Sequence, residues 1–189
     1  MKIQVRKNVF ETNSSTQHTL CIKKSNGDFL NALKKVNEIG KGFTVPSNDT
    51  ISWYEQFSYK DVVGLSDLSL VERLDILVAS TLANYDRDSF LESLSVIQKS
   101  LSDIGMEMNV DFEKMCNLQN GYYWDDGLYA SVNDMIGSEN IYDFLFSEDC
   151  VHTIFCDECC GEPSENVESV WERFDNMPKD GKIVLRERR

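Results

Sequence analysis

An α+β fold is predicted by three features of the chain. Two amphipathic helical stretches stand side by side in its middle, and short strand-like runs lie near both ends. Helices and strands also follow one another without a regular strand–helix–strand rhythm. The expected architecture is a small mixed or antiparallel sheet joining both chain ends, packed against a helical hairpin and further short helices. With 189 residues and 41% apolar side chains, one globular domain over residues 1–189 is expected.

The elements follow in order. Lys2 to Val5 alternates polar and apolar, as a half-buried strand does. Residues 8–15 are polar and read as a loop or turn, since Asn and Ser side chains bond nearby backbone. Thr19-Leu20-Cys21-Ile22 reads as a second strand. Asn26-Gly27-Asp28 signals a turn and a helix start, and Phe29, Leu30, Leu33, Val36 and Ile39 give that helix an apolar face ended by Gly40. Gly42 to Pro46 is a short strand candidate, whereas the aromatic-rich residues 50–65 show no clear period.

Ser66-Asp67 is expected to cap a helix over 67–84, with Leu70, Leu74, Leu77, Val78 and Leu82 on one face. A second helix over 88–104 carries Phe90, Leu94, Ile97, Leu101 and Ile104, with Gly105 placed to end it. Together they form an αα-hairpin. Further on, Met106 to Val110 reads as a strand, Ile141 to Phe146 as a short helix and Val151 to Phe155 as a strand. Val167, Val170, Trp171 and Phe174 mark an amphipathic helix, and Lys182 to Leu185 a last strand. There is no internal repeat and no low-complexity tract.

The formal charge is −13, unevenly spread. Residues 1–41 hold eight Lys/Arg against three Asp/Glu, whereas residues 103–168 hold sixteen acids and one Lys. Such a field repels nucleic-acid phosphates and attracts basic surfaces, so direct nucleic-acid binding is not expected and a basic protein surface is. No apolar run of transmembrane length is present, so no membrane association is expected. Met-Lys-Ile-Gln-Val-Arg is not followed by the apolar core of a signal peptide, and a cytoplasmic location is expected. The six cysteines then read as thiols or metal ligands rather than a disulfide framework.

Three constellations carry chemistry. Cys156-x-x-Cys159 has the spacing of half a zinc site, and His18-x-x-Cys21 is a matching half near the other end. A structural zinc on His18, Cys21, Cys156 and Cys159 is the expected cofactor, with Cys150 and His152 as the competing second pair and unligated reduced thiols as the alternative. A redox role suits the motif less, because it normally opens a helix after a strand in a βαβ context and because Asp157 and Glu158 between the cysteines disfavour a thiolate. The second constellation is the polar cluster Glu11, Asn13, Ser14, Ser15 and His18, a candidate catalytic site. No Gly-x-Ser-x-Gly elbow surrounds its serines, and a structured turn is the simpler reading. The third is Tyr122, Tyr123, Trp124, Asp125 and Asp126, joined by Glu148 and Asp149, where aromatics beside acids suit a protein-binding surface.

The run Arg6-Lys7-Asn8-Val9-Phe10-Glu11-Thr12-Asn13-Ser14-Ser15-Thr16-Gln17-His18 resembles the start of a group of bacteriophage and prophage proteins of unassigned function. Those proteins open with Arg-x-x-Val-Phe-Glu-Thr-Asn-Ser-Ser-Ser-x-His-Ser. Here Thr16 and Thr19 stand where the pattern has Ser, and both keep the hydroxyl. The resemblance covers about a tenth of the chain. It implies a phage setting and a shared role for Glu11, Asn13, Ser14, Ser15 and His18. The function expected is a small acidic protein that binds and inhibits a host protein, such as an antiviral defence effector. An enzyme built on the N-terminal cluster and a phage housekeeping protein are the alternatives.

Overall fold

The computed structural model describes residues 16–24, 42–47, 62–84, 87–114, 136–156 and 162–188. The strand expected over residues 2–5 and the helix expected over 29–39 lie outside them. Among the described residues four strands form the main sheet: β1 (Thr16–Lys23), β3 (Val62–Gly64), β5 (Cys150–Cys156) and β6 (Lys182–Arg188), in the order β3-β5-β1-β6. Every neighbouring pair is antiparallel. Strands from both ends of the described chain, β1 and β6, thus lie side by side, as expected for an α+β fold. β2 (Gly42–Val45) and β4 (Glu107–Val110) form a separate parallel pair.

Successive residues of a strand point to opposite faces, and here each face has its own core. Leu20, Ile22, Val63 and Cys150 face a large cluster built with α1 (Leu70–Asn84), α2 (Arg87–Asp103) and α3 (Ile141–Phe146). That cluster includes Leu74, Leu77, Phe90, Leu94, Leu101 and Phe144. Cys21 and Val151 face the other way, onto Val170 and Phe174 of α4 (Glu165–Asp175). The result is three layers, with a helical hairpin and α3 on one side of the sheet and α4 on the other.

Helix ends follow local chemistry. α1 starts later than the expected cap at Ser66-Asp67. Ser69 is its N-cap, because Glu72 N–H donates to Ser69 Oγ (3.3 Å) while Ser69 N–H and Oγ donate to Glu72 Oε2 (2.8 and 2.7 Å). Ser66 serves the sheet instead: Cys150 N–H donates to Ser66 Oγ at 2.9 Å, holding the end of β3 to β5. Ser69→Ala is expected to lower stability by about 1 kcal/mol, read by urea denaturation, with Ser66→Ala leaving α1 helicity unchanged. α2 ends at Gly105, whose φ of 78° suits a residue without Cβ. There Met106 N–H donates to Leu101 O and Gly105 N–H to Ser102 O. Ser164 Oγ accepts from Val167 N–H and caps α4.

Candidate functional site

The sheet brings the chain's only two histidines together. His18 lies opposite Ile154 and His152 opposite Leu20, so the two occupy the same face of adjacent strands on a diagonal. His18 Nδ1 and His152 Nε2 are 3.2 Å apart, and both side chains are 0% exposed. Their rings are nearly parallel, with 12° between planes and centroids 5.2 Å apart. His152 sits between Leu20 and Val63 on the flanking strands. Burial in that apolar row, and then the neighbouring His18, hold its pKa well below the usual imidazole value and keep the ring neutral. Its Nδ1 has no hydrogen-bond partner.

The expected zinc ligands separate here. His18 and Cys21 are three residues apart in a paired strand, so they face opposite layers: His18 meets His152, and Cys21 packs with Val151, Val170 and Phe174. Burial pushes the Cys21 thiol up to about 11, the more so beside Asp175, although Arg186 opposes this. Burial likewise pushes Cys150, on the histidine side of the sheet, up to about 12. Both are free thiols rather than disulfide partners. Cys156 ends β5 opposite Thr16, and Cys159 lies outside the described residues. Among the described residues no group of three or more His, Cys, Asp or Glu gathers as a metal site.

Of the candidate catalytic cluster, only His18 is described; Glu11, Asn13, Ser14 and Ser15 lie outside the described residues, as do Tyr122, Tyr123, Trp124, Asp125 and Asp126. Glu148 is exposed, whereas Asp149 is engaged within the fold, its carboxylate accepting from Arg173 Nη2 at 3.1 Å.

Two buried charges on α1 escaped the sequence reading. Arg73, 3% exposed, donates through Nη1 to the carbonyls of Phe144 (2.8 Å) and Ser147 (2.9 Å), filling acceptors at the end of α3. Asp75, 2% exposed, accepts from Ser47 N–H at 3.0 and 3.1 Å and from Ser47 Oγ at 2.5 Å. Burial raises its carboxyl to about 6 despite those bonds. Each ties α1 to a loop, and neither belongs to the histidine pair. A charged residue among Leu70, Leu74, Leu77 and Val78 was the available signal.

α4 presents the described acidic surface. Val167, Val170 and Phe174 face the sheet, while Glu165, Glu168, Glu172 and Asp175 recur at intervals of 3, 4 and 3 on the opposite side, all exposed. Among the described residues no Lys or Arg pairs with Glu165, Glu168 or Glu172, and Lys182 stands 3.9 Å from Asp175.

No family model, no curated protein and no solved structure matches this chain. Among the described residues no helix is long and apolar enough to cross a membrane.

Proposed function

We propose that this chain is a small acidic binding protein whose partner is a host protein with a basic surface, which it occupies and blocks. The observation that carries the reading is the acidic stripe of α4. Glu165, Glu168, Glu172 and Asp175 share one exposed helix face, held outward by the apolar face that docks on the sheet. A helix so anchored presents its charges in a fixed row. That geometry favours steering of a complementary surface over the mere solubility that scattered charge provides. The sixteen acids against one Lys in residues 103–168 extend the same field. The resemblance of the N-terminal run to phage and prophage proteins supports a host target, with antiviral defence effectors as the class named.

Exposed charges are screened over about 8 Å at physiological ionic strength, so the complex is expected to weaken as salt rises. Affinity capture from bacterial host lysate at low and high salt, with Glu165→Lys, Glu168→Lys and Glu172→Lys combined, tests this. A stoichiometric partner held by the native chain at low salt and lost by both changes is the expected result. A partner held equally by the triple variant at high salt, or no stoichiometric partner at all, removes the proposal.

A further inference from the structure

We propose that the outer edge of β6 is a docking site for an extended, acidic peptide segment of a partner, which adds to the sheet as a further antiparallel strand. β6 ends the sheet order β3-β5-β1-β6, and among the described residues no strand pairs with its outer side. It pairs with β1 over seven consecutive residues without a bulge, and it contains no proline. A long, regular edge of this kind leaves a row of backbone donors and acceptors open to another strand. Every neighbouring pair in the sheet is antiparallel, and that ladder is the slightly more stable one per residue.

Register tells which residues form the open row. Lys24 N–H donates to Gly181 O at 3.0 Å, one step beyond the Lys23–Lys182 pair. In an antiparallel ladder, residues that exchange backbone bonds alternate with residues that do not. Gly181, Ile183, Leu185 and Glu187 therefore turn their backbone groups to β1, and Lys182, Val184, Arg186 and Arg188 turn theirs outward. Three of those four are basic. Residues 182–189 hold four Lys or Arg against one acid, in a chain of net charge −13. Arg186 is exposed. Lys182 Nζ donates to Phe174 O and stands 3.9 Å from Asp175, so its side chain steadies α4 while its backbone faces out. The edge is also partly apolar. Ile183 and Leu185 are only partly buried against the large core, and Val184 only partly against the core under α4. An added strand would cover these side chains on both faces of the sheet.

Charge decides the occupant. Two copies pairing fully through β6 would set Lys182 of one chain opposite Arg188 of the other, and like charges directly opposite destabilise a strand pair. An acidic strand meets no such repulsion. In antiparallel addition its residues opposite Lys182, Val184, Arg186 and Arg188 share one face, so carboxylates at alternate positions suit that row. The edge calls for a partner of opposite sign to the one that the stripe of α4 suits, so it is a second contact surface and not part of the first.

The test uses the full native chain and a fluorescein-labelled peptide of alternating Glu and Val, as long as β6. Anisotropy is expected to show saturable one-to-one binding, tighter than about 1 mM. A Lys-Val peptide of the same length is expected not to bind. Nor is a Glu-Val peptide with its Glu amides methylated, because those N–H groups are the ones that would bond to β6. Arg186→Glu, at an exposed position, is expected to weaken binding about tenfold. In amide hydrogen exchange of the native chain, Val184 and Arg186 should gain protection when the peptide is added, while Ile183 and Leu185, turned to β1, should not. No saturable binding of the Glu-Val peptide overturns the proposal and leaves the charges as guards against edge-to-edge pairing. Equal binding of the methylated peptide, or protection gained elsewhere and not at Val184 and Arg186, overturns it too, because the attraction would then be charge alone.

Discussion

Replacing Phe174 by alanine is expected to lower the folding free energy by about 3–5 kcal/mol, among the larger effects of any single truncation in this chain. Phe174 is 1% exposed and fills the layer between α4 and the sheet, against Cys21, Val151 and Val170. Only Val167, Val170 and Phe174 are buried on α4, so the ring supplies a large share of the apolar area that docks this helix. Its loss leaves a cavity that strands β1 and β5, paired on both edges, cannot close. Against a typical domain stability of about 5–15 kcal/mol, the change is a large fraction of the total. Glu168→Gln, on the exposed side of the same helix, is expected to stay within about 0.5 kcal/mol. Urea denaturation of both variants checks this. A loss below about 1 kcal/mol for Phe174→Ala would show that α4 is anchored by something other than its apolar face. The acidic stripe depends on that anchor, so partner binding should weaken in Phe174→Ala although no acidic residue has changed.

The second large effect is a pH-dependent one at Asp75. Its carboxyl is raised from the ordinary 3.8 to about 6 by burial, against the bonds from Ser47. An acid whose folded pKa is raised binds protons more readily in the native state. The native chain therefore gains stability from this group as pH falls through about 6 toward about 4, and the gain is complete below the unfolded value. The size is about 3 kcal/mol between pH 7 and pH 4. Asp75→Asn has no such term, so its stability relative to the native chain should worsen by about that amount over the same range. His152 acts with the opposite sign. Its folded pKa lies well below 6.5, so its contribution is lost as pH falls below about 6.5, by about 1.4 kcal/mol per pH unit. Removing Asp75 should therefore expose a steeper acid-side loss. Denaturation midpoints of both proteins at pH 7, 5.5 and 4 decide it; a constant difference across that range would show that Asp75 does not titrate between them.

The local elements were legible because local periodicity created them. α2, α3, α4 and the strands around Leu20, Ile154 and Val184 stand where 3.6- and 2-residue patterns place them, and Gly105 ends α2 as its position implies. The cap of α1 was misplaced because Ser66 and Ser69 are both plausible caps. Only Glu72, returning its carboxylate to Ser69, separates them. β3 has three residues and no period of its own; it is a strand because Cys150–Cys156 offers it an edge. Spacing alone also joined His18 to Cys21 as half of a ligand set, and the strand sends these two side chains to opposite faces. A spacing of three serves a loop and fails in a strand, where the side-chain period is two. What the amino-acid sequence determined by itself is therefore the amphipathic pattern, the acidity and the inventory of histidines and cysteines. What only the tertiary structure decided is the register of β1 against β5, because strand pairing across 134 residues is chosen by the packing of both sheet faces at once. That register sets His18 beside His152, sends Cys21 to the α4 side and leaves the acids of α4 facing outward.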